Sequence, residues 1–184
     1  MTKIKLFGVI GSAVLCFGYL PAFTIYLSII GYVFIGISLH MLSKVKKGSF
    51  FENFLIASVL SVVSTFLFYF KIFAIITSIV ISVLSNNPIV PLTLSIFVYF
   101  FIYFILMLLS SYFFFKSFYE IYTLFNNEFF RYAGLLLVLG AVLTIFGIGF
   151  LVQIIGWLLL LLGFLTLNDI IEVEIIQEKI EEKN

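Results

Sequence analysis

The sequence predicts an all-α, polytopic membrane protein with about six transmembrane helices, two similar glycine-rich hairpins flanking a long central helix pair. Three observations predict it. Hydrophobic residues make up 64% of the 184-residue chain and charged residues 10%, against roughly 45–50% and roughly 25% in a soluble domain. So few charges cannot cover the surface of a water-soluble protein, and a bilayer is the apolar solvent large enough to face the excess. The apolar residues also fall in runs of helical length, bounded by proline, glycine or charge. Runs such as SIFVYFFIYFILMLL show no alternation of polar and apolar residues, which excludes barrel strands and leaves helices that satisfy their own backbone.

A hydrocarbon core of ~30 Å needs about 20 helical residues. The first segment runs from about Ile4 to Leu20 and stops at Pro21, which cannot continue a helix interior. The second runs from about Ala22 to Leu42, ahead of Lys44, Lys46, Lys47 and Gly48. The third starts near Phe51 and stays apolar, apart from Lys71, to Ser85. Asn86, Asn87, Pro88 and Pro91 mark a turn. The fourth runs from about Leu92 to Phe115, with a continuation as an interfacial helix to Asn126, and KSFYEIYTLFNNEFFR (Lys116 to Arg131) is expected as an aromatic, amphipathic anchor along the membrane surface. The fifth spans about Phe130 to Phe146 and the sixth about Phe150 to Leu167. Residues 1–168 thus form one transmembrane domain, with repeat hairpins at about 4–43 and 130–168 and a central pair at 51–126. Residues 169–184 form a charged cytoplasmic tail, either a short amphipathic helix or a loose extension.

The third segment, split at Lys71, would give seven crossings instead. Charge placement decides between the counts, because cytoplasmic loops collect lysine and arginine. With six crossings, Lys3, Lys5, Lys44, Lys46, Lys47, Lys116, Arg131, Lys179 and Lys183, nine of the ten basic residues, share one side. The opposite loops, around Pro21, Asn86–Pro91 and Gly147–Gly149, carry no charge. The expectation is a multi-pass protein of the cell membrane with both termini cytoplasmic.

The two ends of the chain resemble each other. GSAVLCFG (Gly11 to Gly18) matches GAVLTIFG (Gly140 to Gly147), and IIGYVFIGISLHMLS (Ile29 to Ser43) matches IIGWLLLLLGFLTLN (Ile154 to Asn168). This internal repeat makes the first hairpin a structural unit and argues against a cleaved signal peptide at the lysine-flanked N-terminus. The copies start four crossings apart, so they share one orientation, unlike the inverted repeats of many transporters. Gly149, Gly156 and Gly163 recur every seven residues, as do Gly140 and Gly147. Residues seven apart share a helix face, and small residues there let helices approach closely in lipid.

Lys71 is the sharpest polar feature, since a charge deep in a bilayer costs at least roughly 2.5–3.5 kcal/mol. Ser64, Lys71, Ser78, Ser82 and Ser85 fall within about 40° of one line on the third helix. Ser95, Tyr99, Tyr103, Ser110 and Ser117 form a matching stripe on the fourth. The pair reads as interhelical hydrogen bonding with a snorkelling lysine, or as a polar path or anion-binding spot at Lys71. No intramembrane carboxylate accompanies it, because Glu52, Glu120 and Glu128 fall at the expected cytoplasmic edges. His40 and Cys16 are the single residues of their types, so neither a zinc nor a haem site nor an internal disulfide is expected. Leu15 directly before Cys16 also departs from a lipoprotein anchor pattern. No phosphate-cradling loop or catalytic triad is present, and no basic face for nucleic acid.

The C-terminal stretch FFRYAGLLLVLGAVLTIFGIGFLVQIIGWLLLLLGFLTL resembles the prokaryotic, largely archaeal membrane family catalogued as domain-of-unknown-function family 996. The resemblance rests on Arg131, Ala133 and Gly134, followed by a glycine-spaced hairpin with Trp157 after Ile-Ile-Gly. It implies a multi-pass membrane protein of unassigned activity and carries over no catalytic residue. The function expected is that of a non-catalytic structural or accessory component, with no cofactor. Its partners are then the lipid bilayer and other membrane subunits or further copies of itself. A small carrier or channel with a polar path near Lys71 is the alternative.

Overall fold

The computed structural model describes the backbone of residues 3–18, 24–85 and 92–181, and their side chains except at 24, 82–85, 92–96 and 168–181. Six α-helices follow one another: α1 (Lys3–Phe17), α2 (Thr24–Ser43), α3 (Phe50–Ser85), α4 (Leu92–Phe125), α5 (Glu128–Leu143) and α6 (Gly149–Glu181). No strand occurs among the described residues. By length and composition, α2 to α6 each contain an apolar span sufficient to cross a membrane. α1 is 15 residues long, and the expected extension to Leu20 lies outside the described residues.

Successive helices pack as antiparallel neighbours, and α1 also packs against α6, which closes the six into a ring. Glycine makes the tight contacts. A methyl group on Gly11 would lie 2.8 Å from the Gly31 carbonyl on α2, and one on Gly8 would strike the ring of Phe164 on α6. Gly140 and Gly149 meet backbone to backbone across α5 and α6, Gly156 faces Ala133 and Leu137, and Gly163 seats the Phe130 ring. Gly147 instead ends the 3-10 turn Thr144–Phe146 with φ at +76°, a left-handed conformation glycine adopts without a Cβ clash.

The expected repeat segments do not share one register. Gly11 opposes Gly31, whereas their counterparts Gly140 and Gly156 oppose Gly149 with Gln153, and Ala133 with Leu137. Their aromatic residues nevertheless converge: Tyr32 and Trp157 lie 6.0 Å apart, and both pack on Phe114 of α4, at 5.6 Å and 5.4 Å. Phe54, Phe118, Phe130 and Phe164 extend this aromatic core along the bundle axis.

Among these apolar side chains the interior also holds a set of small polar ones. Ser12, Ser38, Ser58, Ser64, Ser110, Ser111, Ser117, Asn127 and Gln153 are buried, while Ile, Val, Leu and Phe side chains cover the outer faces. Ser110 donates to the Ala57 carbonyl and Ser117 to the Phe50 carbonyl, tying α4 to α3, and Ser38 donates to the Ile4 carbonyl of α1. Such bonds are worth on the order of 0.6 kcal/mol each in a membrane bundle.

α3 is continuous through Lys71, in line with the undivided third segment, and the rival split at Lys71 does not occur. One expectation about local structure changes. The first ten residues of Lys116–Arg131 prolong α4 to Phe125, close to the expected end at Asn126. Its aromatic face (Phe118, Phe125, Phe130) is buried in the core and not laid along a surface. The chain reverses at Asn126, whose φ is +49°, and Asn127 caps α5 by accepting from the Phe129 amide. The Asn127 side-chain amide then donates to the Gly163 carbonyl and to the Thr166 hydroxyl on α6. At the same end, Glu120 accepts from the Ser49 amide at 2.6 Å and from its hydroxyl at 2.8 Å, and Lys46 donates to the Leu124 carbonyl. A cation at those terminal carbonyls is favoured by the helix dipole, so the α2–α3 loop is clamped onto the end of α4. The tail beyond Asn168 continues α6 as helix to Glu181.

Candidate functional site

One polar cavity of about 200 Å³ opens inside the ring, at the end where α1 and α5 finish and α2 and α6 begin. Every helix contributes to its wall. α1 gives Leu15, with Gly18 just past its end, α2 gives Ser28 and Tyr32, and α5 gives Leu137, with Thr144 from the 3-10 turn that follows it. α3 contributes Ser61, Ser64, Thr65 and Tyr69, and α4 contributes Tyr103, Ser110 and Ser111. Gln153 of α6 projects into it from within the apolar sequence FLVQIIGW. Tyr32, Phe114 and Trp157 form the floor, about 12 Å below the start of α6 at 1.5 Å per residue.

The hydroxyls are partly committed. Tyr32 shares a 2.7 Å hydrogen bond with Ser61, Ser64 donates to the Ser61 carbonyl, and Thr144 donates to the Gly140 carbonyl. No lysine, arginine, histidine, aspartate or glutamate stands in the wall among the described residues. Nor do any three His, Cys, Asp or Glu side chains gather to hold a metal among the described residues.

The residues expected as a polar site divide. Ser64 and Tyr103 line the cavity. Lys71 does not; it lies two turns further along α3, with its ammonium 4.4 Å from the centre of the Tyr99 ring. A cation over an aromatic face gains about 0.5–1 kcal/mol where exposed and more where desolvated. Ser78 donates to the Ala74 carbonyl of its own helix, and the Ser82 side chain lies outside the described residues. The sequence reading did not single out Gln153, Ser61, Thr65 or Ser111. A lone amide in the middle of a long apolar helix was the available signal for Gln153.

Beyond Tyr69 and Tyr103, α3 and α4 continue without the other four helices among the described residues. The α3 portion to Ser85 alone rises ~24 Å. Among the described side chains of this hairpin, large apolar ones are exposed on both helices, among them Phe70, Phe73, Ile76 and Ile81 on α3, and Phe97 and Phe101 on α4. A second, apolar groove between α2 and α3, from Ile29 to His40 along α2, faces outward like the lipid-facing surface around it.

A family model described as a protein of unknown function, DUF996, matches residues 27–158. No curated protein and no solved structure matches the chain.

Proposed function

Since the chain belongs to the DUF996 family, to which no activity is attached, we propose that it is a non-catalytic component of a membrane assembly, docked through its α3–α4 hairpin. The observation that carries this reading is the ~24 Å by which α3 outgrows the ring, with Phe73 71% and Phe97 73% exposed. Helices of 19 residues, such as the apolar spans of α5 and α6, already match a ~30 Å hydrocarbon core. An apolar hairpin that continues past them needs another apolar surface, and a partner subunit of the membrane that likewise reaches past the hydrocarbon core supplies it.

A photo-reactive residue at Phe73 or Phe101, introduced in native membranes, should form an adduct with another polypeptide. The same group at the outward-facing Leu162 should label lipid. Lipid adducts alone at Phe73 and Phe101 would sink the docking role, and an adduct of twice the chain mass would identify the partner as a second copy.

The proposed topology is six crossings of the cell membrane with both termini cytoplasmic. It is supported by the gathering of Lys46, Glu120 and Arg131 at one end of the bundle and by the sidedness of basic residues. A cysteine placed in the turn at 86–91 should react with an impermeant reagent in intact cells, and protection there would reverse the orientation. The carrier reading, with a path near Lys71, has less support, because the cavity wall does not include Lys71.

A further inference from the structure

We infer that the cavity inside the six-helix ring is a binding site for a small, uncharged, polyhydroxylated molecule of about glycerol or erythritol size. The cavity is separate from the docking surface, which lies on the α3–α4 hairpin beyond Tyr69 and Tyr103.

Size sets the first limit. A void of about 150 Å³ accommodates benzene, so about 200 Å³ suits a ligand of roughly six to eight non-hydrogen atoms. Chemistry sets the second. Ser64, Ser110, Ser111 and Gln153 are each more than nine-tenths buried yet border the cavity. Polar groups within a bilayer are costly unless they find partners, so a hydrocarbon ligand would leave this wall desolvated without return. Ser64, Ser110 and Thr144 spend their hydroxyl protons on the carbonyls of Ser61, Ala57 and Gly140. A hydroxyl that donates in this way keeps lone pairs to accept with. These three hydroxyls therefore offer acceptors, and the Gln153 side chain brings both an amide donor and a carbonyl acceptor, so the ligand must carry groups that donate and accept alike.

Charge sets the third limit. Without a charged side chain in the wall among the described residues, a bound ion would be buried and uncompensated, at a cost of several kcal/mol. Neutral hydroxyl groups remain as the fitting donors. The floor of Tyr32, Phe114 and Trp157 completes the match. Aromatic faces are electron-rich, and the C–H groups of a polyol can lie against them while its hydroxyls turn to the serines.

The chain carries one tryptophan, Trp157, and it stands in the wall, so its emission reports occupancy directly. The full chain is purified in a zwitterionic detergent, because sugar headgroups would compete, and glycerol and then erythritol are titrated in. The expected result is a saturable change in Trp157 emission that the anionic analogue glycerate does not produce. Ser64→Ala and Tyr103→Phe should each weaken binding roughly two- to tenfold, the worth of one hydrogen bond. Lys71→Met, outside the wall, should bind as the parent does. Should Ser64→Ala lose the parent's elution profile, Tyr103→Phe, which keeps the ring, carries the comparison. A linear response without saturation, an equal response to glycerate, or affinities unmoved by Tyr103→Phe would each overturn the assignment.

Discussion

Gly149→Ala should abolish the well-folded bundle, seen as loss of a monodisperse elution peak or as a melting midpoint lowered by about 10 °C. The added Cβ would collide with the Gly140 carbonyl and with the Thr144 amide and hydroxyl. These are mainly backbone atoms at the tight turn into α6 and cannot swing away as a side-chain end can. Overpacking of this kind costs about 3 kcal/mol, and ~1 kcal/mol shifts the midpoint by about 2–4 °C for a chain of this length. Gly36→Ala is the control. Its Cβ would meet only the Phe54 ring edge at 3.7 Å, an ordinary contact, and alanine favours helix by about 1 kcal/mol over glycine. It should be neutral or slightly stabilising. Equal behaviour of the two variants would refute the account of α5–α6 packing.

Phe114→Ala should be the second most damaging change. Phe114 is 3% exposed and touches four aromatic rings, Tyr32, Phe54, Phe118 and Trp157, at 5.4–6.0 Å. Phe→Ala in a core costs about 3–5 kcal/mol. Between membrane helices the lost term is close packing more than solvent exclusion, which places the expectation at the lower end, about 3 kcal/mol. The midpoint should fall by roughly 10 °C. Because Phe114 also floors the cavity, its removal should admit water to the Trp157 indole and move the emission to longer wavelength. Phe114→Leu should recover most of the stability. An unchanged emission maximum in Phe114→Ala would mean that the cavity floor lies elsewhere.

Much of the helix pattern was readable in sequence, and the cavity was not. Apolar runs have one physical meaning when their length matches a bilayer, so α2, α3 and α6 began within one or two residues of expectation. The stretch from Lys116 to Arg131 was misread because an amphipathic pattern has two solutions. Its apolar face can lie on a membrane or on a protein core, and the Ser117 bond to the Phe50 carbonyl is a pairing no local pattern reveals. The cavity wall was hidden for a related reason. Several of its elements supply only one or two polar side chains, such as Gln153 from α6 and Thr144 from the 3-10 turn after α5, and a single polar residue carries no period. Ser64 and Tyr103 were found because α3 and α4 are long enough for their stripes to be visible. Lys71 drew attention through its charge, yet its ammonium rests on the Tyr99 ring outside the wall.

The closure of the ring by α1 and α6, with Gly8 beneath Phe164, carries a consequence for biogenesis. α1 precedes α6 in the chain and so meets one of its two neighbours only after α6 has left the ribosome. Until then, the groove around Gly8 stays open to lipid, and nascent chains truncated before Phe164 should be the forms that membrane quality control removes.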